Sequence, residues 1–107
     1  MTIRYKNAKV DLTTTNATDV FTMPNATTAV IKSILVSEDS GNADTITLTL
    51  TDSASAIFSL FKVKAVSANA TVELLTAPLV LAESEKITAQ AATANRLHVV
   101  VSYMEIS

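Results

Sequence analysis

The sequence predicts an all-β domain, an antiparallel β-sandwich of jelly-roll or immunoglobulin-like type built from about eight short strands. Three observations carry this reading. In Thr45 to Asp52, Ile46, Leu48 and Leu50 alternate with Thr45, Thr47, Thr49 and Thr51, the period of a strand with one face buried. Clusters of Ser, Thr, Asn and Asp punctuate the chain at the spacing expected of a sandwich or barrel. The alanine-rich stretch Ala82 to Ala94 invites a helix on propensity. Yet Ile87, Ala89 and Ala91 alternate with Lys86, Thr88 and Gln90, which favours a strand there too.

The elements follow in order. Residues 1–9 (MTIRYKNAK) are polar and basic-leaning around Ile3 and Tyr5. They read either as a disordered terminus or as an N-terminal arm able to add a strand to a neighbour's sheet. Residues 10–107 read as one β-sandwich domain. Val10 and Leu12 make a short strand, and Thr13 to Thr18 a turn. Val20 to Met23 makes another strand, stopped by Pro24, which cannot donate to a ladder. Ala29 to Ser37 is apolar on both parities, with Val30, Ile34 and Val36 on one and Ile31 and Leu35 on the other. That pattern suits a central strand or one covered by a partner.

The loop Glu38 to Asp44 holds the only glycine, Gly41, and residues that tolerate turn geometry. With the strands on either side it reads as a β-hairpin, or at least two strands in sequence. In Ala56 to Val66 the apolar face changes sides between Leu60 and Phe61, the mark of a bulge or a bend. Val72 and Leu74 form a strand, and Pro78 precedes a short Leu79-Val80-Leu81 run. Leu97 to Ile106 closes the chain, with Val99, Val101 and Tyr103 on one face and Val100 and Met104 on the other.

Composition narrows the function classes. A length of 107 residues suits one domain. The hydrophobic fraction of 49% against 17% charged rules out disorder on composition. Aromatics are only 5%, so each buried contact offers little area and neighbouring subunits are expected to supply part of the stability. A net charge of −2 and a pI near 5.2 argue against nucleic acid, which needs a basic face. There is no apolar run of membrane-spanning length, and the N-terminus lacks an apolar signal-peptide core. The absence of cysteine removes disulfides, thiolate metal sites and a cysteine nucleophile, and suits assembly in a reducing cytoplasm.

No residue pattern points to catalysis. His98, the single histidine, sits among Leu97, Val99 and Val100 without a neighbouring nucleophile. Asp39, Asn42 and Asp44 offer oxygen ligands, but their spacing departs from the twelve-residue calcium loop, so a solvated turn is favoured over a metal site. Glu83 and Glu85 lie two apart; a glycosidase pair would need a cleft, and a solvated strand end is favoured. Three Asn-Ala-Thr tripeptides, at Asn16, Asn25 and Asn69, read as turns rather than a repeat. No catalytic, cofactor or metal residue is expected. The threonine face of Thr45, Thr47, Thr49 and Thr51 is either solvent-facing or a contact face that costs little entropy to order.

Three segments, AVIKSILVSEDSGNADTITLTLTD, FSLFKVKAVSANATVELLTAPLVLAESEKITAQA and the closing LHVVVSYMEI, resemble small virion structural proteins of tailed bacteriophages, especially marine and cyanobacterial ones. The resemblance covers about three-quarters of the chain and is a layout of strands without a catalytic signature. It implies a non-enzymatic β-sandwich on the capsid exterior, neck or tail. A capsid decoration (cement) protein assembled in the host cytoplasm onto the virion is the expectation, as a homo-oligomer, with a trimer favoured. The implied partners are the major capsid protein or other virion proteins. Expected contact residues are Ile3, Arg4 and Tyr5 in the arm and Thr47, Thr49 and Tyr103 on sheet faces. A neck, tail or fibre component is the nearest alternative, and a carbohydrate- or receptor-binding module a second.

Overall fold

A computed structural model describes residues 1–107, which form nine strands and no helix. The strands are β1 (Ile3–Leu12), β2 (Thr18–Thr22), β3 (Thr28–Glu38), β4 (Asp44–Thr51), β5 (Ile57–Val66), β6 (Thr71–Glu73), β7 (Leu79–Leu81), β8 (Lys86–Ala91) and β9 (Leu97–Ile106). They divide into two antiparallel sheets packed as a sandwich. The first sheet runs β1-β9-β3-β6, with β7 pairing further along β3. The second runs β2-β8-β4-β5. If β6 and β7 are taken as one interrupted strand, this interleaving is that of a jelly roll rather than of an immunoglobulin sandwich.

The expected hairpin around Gly41 resolves differently. Two strands in sequence are present, but β3 lies in the first sheet and β4 in the second. Each buries one apolar face, so they pack across the interior, with Ile34 and Val36 on one side and Ile46 and Leu48 on the other, all fully buried. Gly41 supplies a φ of 83° in the crossing loop.

The register of β3 explains its two-sided pattern. A bulge between Ile31 and Ser33 shifts the pairing with β9. It brings Ala29 and Ile31 onto the same inner face as Ile34 and Val36. Glu73 secures the bulge: its carboxylate accepts from the Ser33 hydroxyl and, at 2.8 Å, from the Ile34 N–H. The bulge expected beside Leu60 is found, where Leu48 pairs with Phe61 but Thr49 with Ser59. A second irregularity follows at Val63, whose φ of 52° is unusual for a β-branched side chain. Thr47 Oγ1 accepts the Val63 N–H at 3.1 Å.

Residues 3–9 do not stand apart from the domain. They continue into Leu12 as one strand, paired with β9 from Ile3 opposite Ile106 to Leu12 opposite Leu97. Beyond the ladder, Thr2 and Ser107 exchange both backbone hydrogen bonds, at 2.8 and 3.0 Å. Lys6 reaches Glu105 at 3.2 Å. The alternating residues Leu12, Leu97, Val99 and Val101 face inward, where they meet Ile87, Ala89 and Ala91 of β8.

Two carboxylates pin loops to this frame. Glu38 is 2% exposed and accepts from Ser40 N–H at 2.8 Å, Gly41 N–H at 3.0 Å and Asn69 N–H at 3.0 Å, and from the Ser40 hydroxyl. Burial alone would raise its pKa, but these donors, with the Ser40 hydroxyl and Asn69 N–H foremost, outweigh it and hold the carboxyl at about 2. Asp44, also buried, accepts the Thr93 N–H at 3.1 Å.

Candidate functional site

The carboxylates and the imidazole singled out in the sequence all have partners within the chain. Glu83 accepts the Ala26 N–H at 2.6 Å and Glu85 the Ala82 N–H at 2.8 Å, so both tie turns together and do not flank a cleft. His98 on β9 lies across from Asp11 on β1, with Nε2 3.2 Å from its carboxylate. Its Nδ1 lies 3.7 Å from Asp39. No serine or threonine side chain bonds to this imidazole, so it lacks the nucleophile of a triad. The carboxylates of the crossing loop turn toward N–H donors and the imidazole rather than toward one another.

What remains to act on other molecules is surface, and the register dictates its pattern. Side chains that pair across an antiparallel ladder share a face. Tyr5 pairs with Met104, Met104 with Val30, and Val30 with Val80. These four form a row across β1, β9, β3 and β7 on the outer face of the first sheet. Ile3 and Ile106 lie in the adjoining row, and Leu35 and Val100 further along. Tyr5 is 81% exposed, Val80 58% and Ile3 49%. The polar row Asn7–Ser102–Ser33 separates Leu35 and Val100 from the Tyr5 row, so the apolar part of this face is gathered at the Ile3 and Tyr5 end.

The outer face of the second sheet is different in kind. Thr47, Thr49 and Thr51 of β4 face Thr88 and Gln90 of β8 and Asp19 of β2 across a shallow concavity of about 770 Å³. Lys86 sits 3.3 Å from Asp19, and the Thr88 hydroxyl donates to the same carboxylate at 3.2 Å, while Asp52 accepts from the Ala54 and Ala56 N–H groups. It holds no aromatic side chain.

The six expected contact residues therefore do not converge. Ile3 and Tyr5 share the outer face of the first sheet, and Arg4, on the opposite parity, is exposed near the strand end. Thr47 and Thr49 lie on the far side of the molecule. Tyr103 points into the sandwich, 8% exposed, its ring stacked on Phe21 with centroids 4.7 Å apart. Burial, offset in part by Lys6, raises its pKa, and Glu105 adds to the rise. Sequence reasoning did not name Val30, Met104 and Val80 as contacts. The two-sided apolar pattern of Ala29 to Ser37 was the available signal, but only the bulge and the ladder register show which side faces out.

No known protein family matches the chain, and neither does any curated protein. Two solved structures align with most of the chain. A chain of the disulfide-linked pili that form Bacillus endospore appendages aligns with a TM-score of 0.59 and 12% identity, over 99% of this chain and 88% of that one. A chain of the cyanophage Pam1 capsid asymmetric unit aligns with a TM-score of 0.44 and 20% identity, over 96% and 83%. The likeness to the pilus chain is one of fold; the present sequence has no cysteine with which to form disulfide links.

Proposed function

We propose that this chain is a non-enzymatic structural protein of a phage particle, and that it decorates the capsid as a cement protein. The observation that carries the proposal is the apolar row Tyr5–Met104–Val30–Val80 on the outer face of the first sheet, exposed at its two ends and half-buried at Met104 and Val30. The resemblance of the sequence to phage virion proteins supplies the particle on which such a face is useful. The row is modest in area, and a single weak contact of this size gains strength when several copies engage a repeating shell at once. A homo-oligomer, with a trimer favoured, presents several such faces together.

The test is uptake by phage heads that lack the protein, read by co-sedimentation and counted per particle. Hundreds of copies per head, lost when Tyr5 is changed to Ser, support decoration. A small ring of copies at one vertex points instead to a neck, tail or fibre component that uses the same face. A clean monomer that no part of the particle takes up defeats the proposal.

A further inference from the structure

The two lateral sides of the sandwich are not closed alike. On one, β1 and β2 follow each other across the two sheets through the turn at 13–17. On the other, the edge strand β5 stands opposite the interrupted β6 and β7, and an apolar groove of about 280 Å³ opens between them. Leu60 and Phe61 of β5 line one wall, and Leu74, Leu75, Ala77 and Pro78 the other. Small-molecule sites run to roughly 300–1,000 Å³, so this groove is sized for one or two side chains of a longer chain. Phe58, on the same strand, is left 54% exposed.

Backbone and charge narrow what fits. β5 pairs with β4 on one side only, so its outer edge is open to another strand. From Ile57 to Val66 the strand holds two cations, Lys62 and Lys64, and no carboxylate. Neither lysine is part of an ion pair, in a chain whose net charge is −2. A second copy of β5 laid along the whole strand would bring its lysines close to Lys62 and Lys64, and the Val63 irregularity would break the ladder between them. Lysines and bulges of this kind are how edge strands resist self-pairing.

We propose that this side is a peptide-docking groove: an extended segment of another protein, alternating apolar and acidic residues, adds as a strand along the regular start of β5, Ile57 to Ser59, and runs on past the bulge at Leu60. Its apolar side chains enter the Leu60–Leu75–Pro78 groove, and its carboxylates meet Lys62 and Lys64. Main-chain hydrogen bonds supply the attachment and the alternate side chains the selectivity, as in other strand-addition complexes. The groove lies on a different side from the Tyr5 row, and this inference stands whatever that row binds.

The experiment uses the intact chain and two short capped peptides, one of Glu-Val repeats and one of Lys-Val repeats, followed by backbone-amide NMR and fluorescence anisotropy. The Glu-Val peptide shifts the amides of Ile57 to Leu60 and of Leu74 to Leu79, and binds about tenfold or more tightly than the Lys-Val peptide at low salt. The double variant Lys62→Glu, Lys64→Glu, checked for an unchanged melting temperature, reverses that preference. Leu75→Asp, in the loop wall, weakens both peptides. Equal binding of the two peptides, binding of neither, shifts confined to other strands, or a β5-mediated dimer of the free protein would each overturn the proposal.

Discussion

The two tyrosines give the sharpest test of the structure, because residue type alone treats them alike and the fold separates them. Tyr103 is 8% exposed and stacked on Phe21, while Tyr5 is 81% exposed. An aromatic side chain buries about 150–250 Å², which at about 25 cal/mol per Å² is roughly 4–6 kcal/mol as an upper bound. Measured truncations of buried aromatics cluster near 3–5 kcal/mol, and that range is the expectation for Tyr103→Ala. At about 4–8 °C per kcal/mol for a domain near this size, the melting temperature falls by at least ~12 °C. Tyr5→Ala removes a side chain that touches little, so its cost stays within about 0.5 kcal/mol. Urea and thermal unfolding followed by circular dichroism measure both. If Tyr5→Ala costs as much as Tyr103→Ala, or if Tyr103→Ala costs under about 1 kcal/mol, the inward and outward assignment of β1 and β9 is wrong.

Other consequences are equally concrete. Glu38 has a folded-state pKa of about 2 against an ordinary 4.5. Its lowered value means a stabilising contribution present in full above about pH 4.5 and lost as pH falls toward about 2. The wild type should therefore be more stable than Glu38→Gln at neutral pH, and the gap between their melting temperatures should narrow in acid; a gap independent of pH contradicts the clamp. Val63 combines a φ of 52° with 62% exposure, so Val63→Gly should relieve backbone strain and raise stability by about 0.5–1 kcal/mol. A loss above about 1 kcal/mol in urea titrations would argue against that strain. Leu48, fully buried at the centre of β4, should cost about 2–5 kcal/mol on change to Ala, whereas Thr49→Val on the outer face should leave the unfolding midpoint nearly unchanged.

The strands themselves were largely legible. The alternation in Thr45 to Asp52 marked β4, and the parity change at Leu60 marked a real bulge. The Ile87-Ala89-Ala91 series outweighed alanine's helix propensity because those side chains line the interior. Pairing was not legible, since period two says which face is buried and nothing about which strand lies alongside. Hence β3 and β4, adjacent in sequence, fell in different sheets. Residues 3–9 likewise join β1 because β9, almost a hundred residues later, carries Met104 and Glu105 into register with Tyr5 and Arg4. Tyr103, expected as a contact residue on a sheet face, points into the sandwich; the sequence shows its parity with Val99 and Val101 but not which way that parity faces. The carboxylates Glu38 and Glu73 left no signal, because most of their partners are backbone N–H groups, and Glu73 meets Ser33 and Ile34 only through the pairing of β6 with β3.

The place of β9 has a consequence for synthesis. It sits between β1 and β3, yet it is the last of the nine strands to leave the ribosome. Until it emerges, β1 has no ladder partner and one edge of β3 stays unpaired, so the first sheet waits on the ten residues of β9. Folding must then be a late, concerted event dominated by distant pairings, of the kind that runs in milliseconds to seconds. A nascent chain stalled before Leu97 would display the aliphatic faces of both strands to the chaperones of the cell.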